Sequence, residues 1–414
     1  MLKKISHILF LLFLANILSA QNTVNISLIA RNTGQKVLAN QDTVRVFGFA
    51  TSLSVQPNVP GPTIIAQEGD SVHIDVWNVS QGAPHTIHLH GLDVDQQNDG
   101  VPHLSFDIPH MQHGYYHFKA PHAGTYLYHC HVASTIHVQA GMYGLIIIKP
   151  TNGGNMTWNG GYDYIQEKSF MLSEIDTNWH TDSVLLHDHD TSVAIHILEI
   201  LDYKPQFFLI NGFSDNQLVS ENQQLTAAVN EVDYIRLANI GFYGVRVIFP
   251  ANLNAKIIDS DGRPFTTVEL SDTVMIHPGE RYGVLVESFV EFQDQIKFEY
   301  FDLNTQIVAN TQLIPVTVSG FLNLDKNAST TSFELVPNPF TQELGVFYHS
   351  DIVTEVSIEI FDVQGRIVVE KIQFACTTGD NQIEIGKYLK DKGQYLIKVT
   401  TKENQSEIKK AIKF

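Results

Sequence analysis

Cysteine is nearly missing from this chain. Its 414 residues include only Cys130 and Cys376, so a fold stapled by several disulfides is excluded and one pairing at most can be considered. Basic residues are scarce as well, with 26 Lys+Arg against 44 Asp+Glu and a formal net charge of −18. A body of that sign repels phosphate backbones and anionic lipid surfaces, so nucleic acid is not an expected partner. Solubility alone is a sufficient reason for the excess. Long apolar runs are absent beyond the first twenty residues, and no stretch sustains a helical period.

The start of the chain reads as an export signal over residues 1–20. Lys3 and Lys4 give a positive beginning, Ile8 to Leu18 an apolar core, and Leu18-Ser19-Ala20 a small-residue cleavage site. That apolar run is too short and wrongly flanked for a membrane span. The remainder is expected to be exported through the periplasm and to end up secreted or at the cell surface.

What is present instead is alternation. Residues 21–150 carry short runs of period two, among them Val24 to Leu28, Ser71 to Trp77, Tyr115 to Phe118 and Gly144 to Ile148. Gly, Pro and Asn punctuate them, as between Pro57 and Pro62. This pattern predicts a β-sandwich. Residues 151–322 read as a second one and as an internal repeat, because Glu231 to Asn239 parallels Glu68 to Asn78.

Histidine is concentrated in one place. Eleven of the nineteen lie between His85 and Met142, together with Cys130. Two imidazoles, one thiolate and a weak axial thioether are the ligands of a blue copper centre. Cys130 is the thiolate candidate, His137 and Met142 follow it on the loop leaving that strand, and His85 is the first histidine available from a distant strand. The sequences His88-Leu89-His90 and His129-Cys130-His131 add a second signal. Alternate residues of a strand share a face, so His129 and His131 can serve a second metal site while Cys130 serves the first. A Cys130–Cys376 disulfide would consume that thiolate and join two separate domains, so it is not expected.

These motifs resemble the multicopper oxidase family and its relatives, the copper nitrite reductases. Pro60 to Ile65, Glu68-Gly69-Asp70, Gly91-Leu92, Asp99-Gly100-Val101-Pro102 and Ala123 to His129 extend the likeness over residues 55–148. The resemblance implies an all-β fold with two tandem cupredoxin-like sandwiches and a copper cofactor. It implies a blue site at His85, Cys130, His137 and Met142, with His88, His90, His129 and His131 at the second copper site. Asp261 to Pro264 and His277 to Val286 resemble the copper-free middle domain of three-domain oxidases. Aligned on Asn78 and Asn239, the places of His85, His88 and His90 are taken by Arg246, Phe249 and Ala251, and Phe301-Asp302-Leu303 stands where the His-Cys-His triplet would be. Half of the family's usual imidazoles are therefore missing from the second domain. His187-Asp188-His189 has the right form but the wrong place, while His180, His196 and His277 read as surface or capping residues. His103, His110, His113, His117 and His122 read as solvated loop or strand-rim residues, and His73 as mid-strand on a polar face.

Residues 323–332 form a polar linker. From Leu335-Val336-Pro337-Asn338-Pro339-Phe340 the chain changes character, with a strand, a Gly turn and a strand from Val356 to Val369 and closing strands at Gly393 to Val399 and Lys409 to Lys413. Residues 333–414 resemble the C-terminal sorting domain of the type IX secretion system, a small Ig-like β-sandwich, which implies that secretion machinery as a partner.

Three functions follow. The first is an exported laccase-like oxidoreductase that takes electrons from a small-molecule or metal-ion reductant and reduces oxygen. The second is a blue-copper electron carrier or copper-binding surface protein without oxidase activity. The third is a nitrite-reductase-like enzyme, although His88 stands where that family has an acidic proton donor. Two-domain relatives build catalytic sites between subunits, which makes a homotrimer the assembly the resemblance favours.

Overall fold

The computed structural model describes residues 22–151, 153–188, 203–320, 333–338, 340–350, 352–362, 366–402 and 406–413. The expected signal segment 1–20, the linker 323–332, His189, His196, Pro339 and the turn at 363–365 lie outside the described residues. The chain divides into two compact units, Met1–Gly320 and Phe321–Phe414.

The first unit begins with a sandwich of eight strands. These are β1 (Thr23–Val37), β2 (Thr43–Ala50), β3 (Ile64–Gln67), β4 (Ser71–Asn78), β5 (His88–His90), β6 (His113–Lys119), β7 (Gly124–His129) and β8 (Tyr143–Lys149). One sheet has the order β2-β1-β4-β6 and the other β3-β8-β7-β5. The alternation along β4 has its cause here. Val72, Ile74 and Val76 are fully buried while the residues between them face outward. Each such side chain contributes roughly 1.5–3 kcal/mol by leaving water, and a one-residue slip would turn all three outward.

A second sandwich follows with β9 (Gln166–Ile175), β10 (Phe207–Ile210), β11 (Leu225–Ala228), β12 (Val232–Asn239), β13 (Gly244–Ile248), β14 (Lys256–Ser260), β15 (Arg263–Leu270), β16 (Thr273–Ile276), β17 (Arg281–Glu287), β18 (Phe292–Phe301) and β19 (Val308–Ser319). Its sheets run β10-β9-β12-β17-β14-β15 and β11-β19-β18-β13-β16. The repeat is visible in detail. β1 runs parallel to β4, and β9 runs parallel to β12. Both β4 and β12 end on a buried asparagine whose Oδ1 accepts from the backbone N–H two residues on, Ser80 at 2.8 Å and Gly241 at 3.0 Å. In the first domain β7 ends at His129; in the second, β18 ends at Phe301.

One expectation needs correction. His137 sits in a seven-residue helix, α1 (Ser134–Ala140), where a loop leaving the strand was expected. Gly141 at φ +115° closes it, with its N–H donating to the carbonyls of His137 and Val138, an ending that glycine adopts without a Cβ penalty. β-branched Thr135, Ile136 and Val138 hide this turn of helix from a propensity reading.

The second unit, described by itself, has β20 (Phe333–Val336), β21 (Gly345–Ser350), β22 (Thr354–Asp362), β23 (Ile367–Cys376), β24 (Gly379–Glu384), β25 (Gly393–Thr401) and β26 (Ser406–Lys413). Two sheets, β20-β21-β24 and β23-β22-β25-β26, enclose a core that includes Val346, Ile358, Ile360 and Ile397. The all-β expectation thus describes the molecule. Neither Cys130 nor Cys376 forms a disulfide.

Candidate metal centre

Two histidine clusters lie on either side of the end of β7. In the first, His85, Cys130 and His137 bring three ligand atoms within 4.8 Å of one another, all buried. Cys130 Sγ is 3.3 Å from His137 Nδ1 and 3.7 Å from His85 Nδ1. An ion about 2.0 Å from nitrogen and about 2.3 Å from sulfur, at a trigonal angle, would hold those atoms about 3.7 Å apart. The donor set therefore fits copper. His85 is fixed by paired backbone hydrogen bonds with Ile108 at 3.1 and 2.9 Å. The Cys130 N–H donates to the Met142 carbonyl at 2.9 Å and the Met142 N–H to the His137 carbonyl at 3.0 Å. Cys130, helix α1 and the buried Met142 are thereby locked into one short unit. Phe47 packs against both imidazoles, at 6.5 Å from His85 and 5.8 Å from His137 between centroids.

The electrostatics of this cluster favour a thiolate. Burial pushes the Cys130 thiol up, but the charge of His137 and hydrogen bonds from His137 and His85 outweigh it and hold the thiol well below its usual range. Burial lowers His137 too, yet Cys130 and Asp188 raise it to about 9. A cation arriving here would meet a thiolate and displace the imidazolium proton. His85 is lowered, chiefly by burial.

The second cluster holds His88, His90 and His129, whose ligand atoms also lie within 4.8 Å of one another. His88 Nδ1 donates to the Asp99 carbonyl at 2.8 Å and His129 Nδ1 to the Cys130 carbonyl at 2.9 Å. Those bonds place the protons on Nδ1 and leave both Nε2 lone pairs for a metal, the usual outer-shell device. His90 Nδ1 approaches His129 Nε2 at 3.3 Å. Burial drives His129 down to about 3, and burial with the Arg281 charge drives His90 to about 4, so both are neutral near pH 7. His131 stands beside the group, its ring 5.4 Å from His88 and 5.9 Å from His129, while its backbone N–H donates to Thr86 Oγ1 at 3.0 Å. It does not share the tight three-atom group.

The strand register explains this division. His88 pairs with His129 and His90 with Leu127, so the alternate residues of β5 reach the face that carries His129. The buried Cys130 turns to the opposite side.

The second domain meets this cluster without an imidazole. A Cβ on Gly279 would lie 3.2 Å from His90 Cε1 and 3.3 Å from Nε2, so Gly279 covers His90 directly. Arg281 packs against Gly91 and is held by Asp261 at 2.9 Å and the Gly279 carbonyl at 2.6 Å. Among the described residues, no histidine of the second domain joins either three-atom group. His277 pairs with Glu280 at 3.3 Å, and His180 is buried on the Arg45 carbonyl at 2.7 Å.

Several contributors escaped the sequence reading. Asp188 lies 3.2 Å from His137 Nε2, both side chains almost wholly buried. Its neighbours His187 and His189 drew attention as a His-x-His pair, whereas the residue between them makes the contact. Asp99 was visible only as part of a motif, and nothing in the sequence marked Gly279 as the lid on His90. Of the histidines read as solvated loop or strand-rim residues, His113 opens strand β6 and His117 lies within it.

Two sandwiches with this thiolate and imidazole arrangement at one end define a cupredoxin-type copper protein. Residues 40–153 and 173–312 each match a family model described as multicopper oxidase, and residues 334–413 match a secretion system C-terminal sorting domain. The chain belongs to the multicopper oxidase family, whose members bind copper. It is similar to an L-ascorbate oxidase of Nicotiana tabacum, 26% identical over 341 residues, covering 76% of this chain and 54% of that protein. It is also similar to a copper resistance protein A homolog of Pseudomonas syringae pv. tomato, 38% identical over 107 residues, covering 25% of this chain and 18% of that one. The chain thus spans about half or less of these curated relatives. Among solved structures, a blue copper oxidase from Nitrosomonas europaea superposes with a TM-score of 0.58 at 25% identity, covering 72% of this chain and 86% of that one.

Proposed function

We propose that this chain is an exported copper-dependent oxidoreductase of the laccase-like kind. His85, Cys130, His137 and Met142 hold a blue copper, and His88, His90, His129 and His131 hold copper at a second site. Copper at the first site supplies one-electron chemistry with a small-molecule or metal-ion reductant, and copper at the second supplies the reduction of oxygen. The carrying observation is the place of Cys130. Its Sγ faces one cluster, while the same backbone step leads to His129 in the other. A covalent path of a few bonds therefore joins them.

The protein's own residues prepare both sites. The His137 and Cys130 charges stabilise one another before any ion arrives. Carbonyls of Asp99 and Cys130 hold His88 and His129 with their free nitrogens toward the cluster. Phe47, packed on both imidazoles, helps to exclude water from the first site.

The domain division 21–150, 151–322 and 333–414, export through the periplasm and a homotrimer belong to this reading. In a trimer, a neighbouring subunit would supply imidazoles that Gly279 and Arg281 do not. That same absence favours a second reading, a blue-copper carrier without oxidase activity. Metal analysis of the loaded, desalted protein separates them. About one copper per chain supports the carrier, about two a nitrite-reductase-like pair, and about four a completed cluster. Cys130→Ser should abolish the intense visible band of the thiolate–copper bond; persistence of that band would refute the assignment.

A further inference from the structure

Six histidines of the first domain fall outside the two clusters and their neighbour His131, and three of them share one sheet face. The antiparallel register of β4 and β6 sets His73 opposite His117, Asp75 opposite Tyr115, and Trp77 opposite His113. Their intervening neighbours Val72, Ile74, Val76 and Tyr116 fill the core, so these side chains are turned outward by the period of the strand.

The His73 and His117 rings lie 4.6 Å apart between centroids at 79°. The buried pair His85 and His137 stands at a similar 4.8 Å and 59°. Two imidazoles bound side by side to one ion, each nitrogen about 2.0 Å from it, have centroids about 4.5 Å apart. Ser71 Oγ is 3.1 Å from His73 Nε2. A hydroxyl accepting there keeps the proton on Nε2 and leaves the Nδ1 lone pair for a ligand. Asp75, two residues along the same face, accepts from His113 Nδ1 at 2.7 Å, and Trp77 stacks on that ring at 5.4 Å and 6°. The carboxylate adds negative charge beside the imidazole pair. The face is open, with Asp75 and His113 side chains 36% and 40% exposed.

We propose that His73 and His117 form a surface site for a divalent cation, separate from the two clusters already described. Copper(II) is the preferred ion, because affinity for nitrogen ligands among first-row divalent metals peaks there. With two imidazoles, a carboxylate two residues along the same face and free access to water, the site takes up and releases its ion without opening the fold. It lacks a thiolate, so its ion gives no intense visible band. The site does not depend on the copper reading of the buried clusters.

The test uses the full chain, first loaded with copper and desalted, then titrated with copper(II) by calorimetry and followed by electron paramagnetic resonance. About one further ion per chain should bind with a nitrogen-coordinated signal. His73→Ala and His117→Ala should each weaken that step by on the order of 100-fold, as one arm of a two-point attachment is lost. The visible spectrum and the circular dichroism should not change. His110→Ala, whose Nδ1 is instead committed to the Ser80 carbonyl at 2.7 Å, should bind as wild type. Retention on an immobilised copper(II) resin gives a second readout, since His117 is exposed whereas His85, Cys130 and His137 are fully buried. Equal binding by wild type, His73→Ala and His117→Ala would overturn the proposal, as would no further uptake at all. Loss of the buried coppers with the His117-dependent step intact would count against the blue-site reading and leave this site standing.

Discussion

His137 is held from both sides, and the outer hold is Asp188, whose Oδ2 lies 3.2 Å from His137 Nε2 with the pair almost wholly buried. An imidazole hydrogen-bonded to a carboxylate has its free nitrogen fixed on the other side, toward Cys130 Sγ at 3.3 Å. Asp188→Ala leaves a buried ring nitrogen without this acceptor and should cost about 1–3 kcal/mol of stability in urea unfolding of the metal-free protein. Copper affinity, measured by competition with a chelator, should fall about 10–100-fold. Asp188→Asn retains an acceptor oxygen and should recover most of both. Wild-type affinity in Asp188→Ala would mean that Cys130 and the helix alone orient the ring.

The second cluster should be removable without the first. His129 and His90 meet at 3.3 Å, and His129 reaches the other group at the Cys130 backbone carbonyl, from Nδ1 at 2.9 Å, not at a ligand atom. His90→Ala or His129→Ala should lower copper by about one ion per chain or more while the visible band stays. Metal analysis and absorption on the same sample decide it. Loss of the band in His90→Ala would show that the two clusters are one cooperative unit.

Strand periodicity made much of this legible from the sequence. Spacing alone puts His88 and His90 on one face; that they meet His129 follows from the register of β5 on β7, which the sequence implied only through its family resemblance. The parallel between Asn78 and Asn239 was readable because each asparagine bonds its own chain two residues on, a local pattern. What stayed hidden is tertiary. Asp188 approaches His137 from 51 residues away, and Gly279 meets His90 only because the two domains pack. The opposition of His73 and His117 depends on the register of two strands separated by a long excursion. No one-dimensional period carries such contacts.

Arg236 anchors the second domain to the strand that carries His129. Fully buried, it meets the Glu167 carboxylate at 3.0 and 2.9 Å and donates to Thr125 Oγ1 in β7 at 2.9 Å. Burial raises Glu167, but Arg236 and Lys149 outweigh that and keep it low, as expected of a paired carboxylate. Arg236→Ala removes the fully buried partner and leaves Glu167 to Lys149 and Tyr164, so it should destabilise the first unit by about 1.5–3 kcal/mol. Arg236→Met with Glu167→Gln removes both charges and should cost clearly less. Chemical denaturation of wild type, Arg236→Met, Glu167→Gln and the double variant gives the coupling directly.

Glu174 gives the first unit a pH dependence whose sign can be worked out. It is buried, accepts from Tyr203 Oη at 3.1 Å, and has its other oxygen, Oε2, without a hydrogen-bond partner. Burial raises its pKa from 4.5 to about 7, against smaller opposing hydrogen bonds from Phe242 and Tyr203. The folded state therefore holds the proton more tightly than the unfolded chain. The associated stability is fully present below about pH 4.5 and is lost as pH rises to about 7, beyond which it stays lost. The shift corresponds to roughly 3 kcal/mol. Asp233 and Asp259, each raised to about 6 chiefly by burial, act in the same direction over the lower part of that window. His90 and His129, lowered chiefly by burial, act the other way below about pH 6.5, so the contribution of Glu174 is read against Glu174→Gln, which keeps the shape and carries no charge. The urea midpoint of metal-free wild type minus that of Glu174→Gln should be larger at pH 5 than at pH 8. An unchanged slope in Glu174→Gln would assign the effect to the two aspartates instead.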